Sequence, residues 1–109
     1  MAFRKIEQEI VDGLFNILKE YLTTIILYGS VARNEETEES DIDLAVIVKC
    51  AVDEDTRNAL LEWCADADIK YDCVISVIDI ESEMFERWKN SHPFYKNVNE
   101  EGIVLWKAA

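Results

Sequence analysis

The chain has 109 residues, 50% of them hydrophobic, which favours one packed domain over disorder and leaves no room for a second core. Its 23 acids against 11 bases give a formal net charge of −12, a balance that repels a phosphate backbone and excludes general nucleic-acid binding. No stretch approaches the roughly 20 apolar residues of a membrane span, and the opening "MAFRKIEQEI" carries acids and no continuous apolar run, so no signal peptide is expected.

The elements follow in chain order. Ile6, Ile10, Leu14, Ile17, Leu18 and Tyr21 recur at helical spacing and predict an amphipathic first helix. "TTIILY" (Thr23–Tyr28) is short, β-branched and apolar, a buried strand ending at Gly29. "DIDLAVIV" (Asp41–Val48) reads as a second strand, apolar on both faces beyond its first residues. Asp53 or Asp55 can cap a helix carrying Leu60, Trp63, Cys64 and Ala67. "KYDCVISVI" (Lys70–Ile78) predicts a third strand. Ser82 can cap a helix with Phe85 and Trp88 inward, stopped before Pro93. An aromatic loop, "HPFYKNV", then leads through Gly102 into a last short strand, Ile103–Trp106. The expected architecture is α/β (α+β): a small mixed sheet covered by helices in a single domain, residues 1–109.

Three cysteines, Cys50, Cys64 and Cys73, form no C-x-x-C pair and are odd in number, as in a protein kept reduced in the cytoplasm. The lone His92 precedes Pro93 in the expected loop and has no companion ligands. Trp88, Phe94, Tyr95 and Trp106 are many large rings for so small a chain, and are expected to serve a protein interface as well as the core.

The chemistry concentrates in "GSVARNEETEESDID" (residues 29–43). Asp41 and Asp43 are two apart on a strand, so both carboxylates point to one face, at the mouth of an apolar run. Like charges there are costly unless a cation compensates them. Gly29-Ser30 ends the preceding strand and starts a helical turn whose free N–H groups suit phosphate. Glycine admits close approach there, and the serine hydroxyl can donate to a phosphate oxygen. Mg²⁺ between carboxylates and phosphates fits both features. Asp72, an acid at the start of the third apolar run, is the candidate third carboxylate, and three such groups can hold two Mg²⁺ ions about 4 Å apart. Alone, Asp-x-Asp arises readily in an acidic chain and Gly-Ser is an ordinary turn. The ordered combination, with ten residues between Ser30 and Asp41, is what is specific.

That combination, "GSVARNEETEESDIDLAVIV", resembles the nucleotidyltransferase signature of the DNA polymerase β superfamily. The short chain resembles in particular its minimal, Mnt-type members, over roughly Ile25–Ile78 with an echo in "FYKNVNEEGIVLW". The resemblance implies a polymerase β-like core and transfer of a nucleoside monophosphate, usually AMP from ATP, to an acceptor hydroxyl with release of pyrophosphate. It implies a phosphate-gripping role for Gly29 and Ser30, Mg²⁺ ligation by Asp41 and Asp43, and for Asp72 a share in metal binding and acceptor deprotonation. Arg33 stands where it can neutralise the triphosphate or pair with an acid in residues 35–39, and Asn34 replaces the glycine many relatives carry after the arginine. Minimal relatives are often paired with a HEPN-domain protein in toxin–antitoxin modules, the transferase adenylylating its partner. Two alternatives stay open: a binder that neutralises its partner by contact, and a small-molecule (aminoglycoside-type) adenylyltransferase acting as a homo-oligomer whose neighbouring subunit completes the site.

Overall fold

The computed structural model describes residues 3–32 and 41–109. Its centre is a strand, β2 (Ile42–Val48), whose residues Leu44 to Val48 are all buried. Such a run can only be an interior strand, because either face left in water would expose branched side chains. It lies between β1 (Leu22–Tyr28), antiparallel to it, and β3 (Ile75–Glu81), parallel to it. β4 (Ile103–Lys107) pairs antiparallel with the outer side of β1, giving the order β3-β2-β1-β4. The mixed sheet expected from the sequence is therefore present, one residue longer at the start of β1 and one shorter at the start of β2.

Helices cover both faces. On one side lie α1 (Glu7–Leu18) and α3 (Glu54–Tyr71), which cross over Ile25, Leu27, Ile42, Leu44, Val46 and Ile75. The i, i+4 spacing of Ile10, Leu14 and Leu18 puts all three on the inner stripe of α1, where each is fully buried. α3 is the crossover that a parallel β2–β3 pair requires. It begins at Asp53, whose carboxylate accepts from the Thr56 N–H at 2.7 Å and whose pKa that bond lowers. An Arg57 fork then grips Asp79 of β3 at 3.0 and 3.1 Å, tying helix to strand. On the other side lie α4 (Ser82–Trp88) and α5 (Pro93–Glu101), with Phe85 and Val98 packed on Ile26, Ala45, Ile47 and Ile80. A four-residue turn, α2 (Gly29–Ala32), follows β1 directly. No helix among the described residues is long and apolar enough to cross a membrane.

Three sequence expectations change. The run from Lys70 is not yet strand: α3 continues through Tyr71, Asp72 closes it in the left-handed region at φ 52°, and β3 starts only at Ile75. The reason is Asp68, whose backbone carbonyl accepts from the Asp72 and Cys73 N–H groups while its carboxylate accepts from Ile75 N–H at 2.8 Å. The segment "HPFYKNV" is helical rather than a loop. His92 caps it by accepting from Phe94 N–H at 3.3 Å, and Pro93 sits at the first helical position, where its missing donor costs nothing. Finally Ser82 begins α4 without capping it; the cap position is Glu81, with no side-chain bond. Of the four aromatic residues, Phe94, Tyr95 and Trp106 pack against the two cores, whereas Trp88, expected inward on α4, is 41% exposed.

Gly102 connects α5 to β4, and its N–H caps the helix on Val98 O. A Cβ at this position would lie 2.2 Å from that carbonyl oxygen and 2.4 Å from Ile26 Cγ2, so neither backbone nor core leaves room for one. Gly102→Ala is expected to destabilise the fold by about 1–3 kcal/mol, read as a melting temperature lower by at least about 4 °C. An unchanged melting curve would show that β4 can shift away from β1.

Candidate active site

Asp43, Ala45 and Ile47 share one face of β2. Because Ala45 and Ile47 pack beneath α4 and α5, Asp43 lies on that side, where the strand begins. It is half-buried, whereas Asp41, one residue before the strand, is exposed. Across the antiparallel ladder Asp43 pairs with Tyr28, the last residue of β1. Burial, and then the charge of Asp43, push the Tyr28 phenol above its ordinary range, so it stays protonated at neutral pH. Phe94 of α5 meets the Tyr28 ring edge-on at 5.6 Å. An aromatic wall thus closes one side of the carboxylate.

Gly29 forms the other side. Its φ of +76° is a conformation that L side chains rarely adopt, and a Cβ there would stand 2.3 Å from Asp43 Oδ2. Two independent constraints therefore require glycine, one from the backbone and one from the neighbouring carboxylate. The structure brings Gly29 and Asp43 into contact, with Asp41 on the same strand entrance and the backbone of Ser30 in the turn α2. Arg33 lies outside the described residues, as does the Ser30 side chain.

Asp72 is placed differently from the other acids. It is the left-handed cap of α3, three residues before β3 begins, rather than a residue of the strand. Among the described residues no three of His, Cys, Asp and Glu are grouped so as to hold a metal ion. The donor set that is present, two carboxylates at a strand entrance beside a turn that opens on glycine, suits a hard divalent cation that completes its shell with phosphate oxygens and water. The three-carboxylate clamp for two ions is not assembled among these residues. Tyr28 belongs to no sequence motif of its own, although its place just before Gly29 on the paired strand is a usable signal. His92 serves as a helix cap and stacks on Tyr95 at a centroid distance of 4.9 Å. The cysteines are free, and burial raises the thiols of Cys64 and Cys73, keeping them protonated.

The contact between Gly29 and Asp43 can be measured as a coupling. Gly29→Ala should lower the melting temperature, and the loss should be smaller in an Asp43→Ala background, where the overlap with the carboxylate is gone and only the strain of positive φ, about 1 kcal/mol, remains. Strictly additive losses would mean that the carboxylate swings aside without cost.

A family described as "Polymerase beta, Nucleotidyltransferase" matches residues 13–108. Two proteins of Methanocaldococcus jannaschii are similar along the chain. One, named "Putative protein adenylyltransferase MJ0604", is 37% identical over 106 residues, covering 97% of this chain and 100% of its own. The other, "Putative protein adenylyltransferase MJ0141", is 33% identical over 78 residues, covering 72% of this chain and 79% of its own. Among solved structures, a chain of a toxin–antitoxin crystal structure with AMP-PNP superposes with a TM-score of 0.65 at 22% identity, covering 94% of this chain and 73% of that one. A chain of the tri-AMPylated Shewanella oneidensis HEPN toxin in complex with MNT antitoxin gives 0.63 at 21%, covering 96% and 72%. These two likenesses show the fold. With the family pattern running from residue 13 to 108 and the glycine turn lying against the Asp-x-Asp strand, the chain belongs to the polymerase beta-type nucleotidyltransferases.

Proposed function

We propose that this nucleotidyltransferase moves AMP from ATP to a hydroxyl on a partner protein, and that the partner is a HEPN-domain toxin for which it is the antitoxin. The observation that carries the reading is the apposition of Asp43 Oδ2 and the Gly29 turn, a carboxylate and a backbone surface brought to the same point. The adenylyltransferase names of the two Methanocaldococcus jannaschii relatives support AMP as the transferred group and protein as the acceptor. The AMPylated toxin in the Shewanella oneidensis complex supports the partner class. The chain acts as one domain, in the cytoplasm.

In this reading the acceptor hydroxyl gives up its proton to water as its oxygen forms a bond to the α-phosphorus of ATP, while the bond from that phosphorus to the bridging oxygen breaks and pyrophosphate leaves with that oxygen. Gly29 and Ser30 hold the triphosphate through the turn, and Arg33 offsets its charge. Asp41 and Asp43 would hold Mg²⁺, which when bound polarises the phosphate and lowers the pKa of the attacking hydroxyl. Tyr28, kept protonated beside Asp43, presents a donor rather than a competing negative charge, and with Phe94 it keeps water from that flank of the carboxylate.

Incubation with Mg²⁺ and a HEPN-domain partner should pass label from the α-phosphate of ATP, and none from the γ-phosphate, to the partner. Label from the γ-position would make the protein a kinase, and a partner silenced without label would make it a contact inhibitor. Label passed only to a small molecule would identify the aminoglycoside-type alternative. Asp43→Asn should keep the fold and lower transfer at least a hundredfold. Saturating Mg²⁺–ATP at about a hundred times Kd should stabilise the wild type by about 2.7 kcal/mol. That gain should be absent from Asp43→Asn, and equal gains in both proteins would place the nucleotide elsewhere.

A further inference from the structure

The parallel ladder between β2 and β3 identifies which residues face the two aspartates. Ile42 pairs with Ile75 and Asp43 with Ser76, and Ile42 N–H donates to Val74 O at 2.8 Å. Residues in register on parallel strands point to the same face, about 4.8 Å apart. The face is fixed independently, because Ala45 and Ile47 on β2 and Ile80 on β3 are buried in the same core cluster beneath α4 and α5. Ser76 therefore stands beside Asp43, and Val74 beside Asp41, on the side where the glycine turn lies. Neither is acidic. Asp72 would reach that face only if β3 began earlier. It is instead held at φ 52° as the cap of α3, with its N–H on Asp68 O, and Asp68 also secures the Ile75 N–H that starts the strand.

Resting on the nucleotidyltransferase reading above, we propose that Ser76, not Asp72, is the β3 residue facing the cation and nucleotide, and that Asp72 is a helix cap outside the site. The site then presents two carboxylates and one neutral hydroxyl. Two consequences follow from charge alone. A divalent cation is held weakly by the free protein and is taken up with the nucleotide, whose phosphates complete its shell. The Ser76 hydroxyl, a donor as well as an acceptor, can bond to a phosphate oxygen or a cation-bound water that a carboxylate would repel or deprotonate.

The test is Mn²⁺ uptake, followed by loss of the free-ion electron paramagnetic resonance signal, with and without AMP-PNP. The proteins are the wild type, Asp43→Asn, Asp72→Asn and Ser76→Asp. Asparagine tolerates the left-handed cap, so Asp72→Asn removes only the charge. The wild type should bind Mn²⁺ appreciably only with nucleotide, Asp72→Asn should match it within about twofold, and Ser76→Asp should bind Mn²⁺ at least tenfold more tightly without nucleotide. Loss of uptake in Asp72→Asn equal to that in Asp43→Asn would overturn the assignment, as would a Ser76→Asp protein indistinguishable from wild type. A wild type that takes up no Mn²⁺ with AMP-PNP would instead refute the nucleotidyltransferase site itself. Melting curves for all four proteins serve as the control that each variant is folded.

Discussion

The burial of β2 on both faces and along both edges is the constraint on which the rest depends. Its ladder with β1 and its ladder with β3 leave it no freedom of register, since a slip of one residue would exchange the side chains of its two faces. Asp43 would then point beneath α1 and α3, among Leu14, Leu27 and Ile75, where an ionised carboxylate without a partner costs several kcal/mol. The hydrophobic pattern that makes the strand thus also aims the acid. Tyr28 and Gly29 are delivered to it by the neighbouring ladder, and Phe94 by the helix that covers the same face.

Much of this was legible in the sequence because it rests on short-range pattern. The i, i+4 apolar stripe of α1, the β-branched runs of β1 and β2, the cap at Asp53 and the glycine before Ser30 are each decided by residues close together in the chain. The departures come where distant or context-dependent bonds decide. "IKYDCVIS" has the composition of a strand, yet bonds from Asp68 to the backbone N–H groups of Asp72, Cys73 and Ile75 prolong the helix and delay the strand. Pro93 reads as a stop, but α4 already ends at Trp88 and Pro93 instead starts α5, whose buried Val98 fits a helical stripe too short to stand out beside the aromatic residues. The Asp-x-Asp entrance and its glycine were recoverable as a pair. Their contact at Oδ2 was not, because spacing says which residues can meet and only register says how.

The helices are attached to the sheet by unlike means on its two sides. α3 is anchored by polar bonds at both ends, the Asp53 cap and Arg57–Asp79 fork near its start and the Asp68 and Asp72 turn at its finish. Its surface nevertheless carries Leu61 at 63% and Ile69 at 83% exposure, so apolar burial along its length is modest. α4 and α5 sit on the site face through Phe85, Val98 and the rings of Phe94 and Tyr95. The first side fixes where β3 starts; the second forms the floor and wall around Asp43.

The order of strands also bears on how the molecule is made. β1 and β2 close an antiparallel pair, whereas β3 can join β2 in parallel only after the whole of α3 has been laid across the sheet. Parallel pairing over so long a crossover is entropically late, since the loop must close before its contacts reward it. Asp43 and Gly29 can therefore meet in a chain that is still half-formed, while Ser76 arrives beside them last. A growing or partly unfolded polypeptide would hold the acidic mouth of the site without its third wall, and competence for nucleotide would coincide with completion of the sheet.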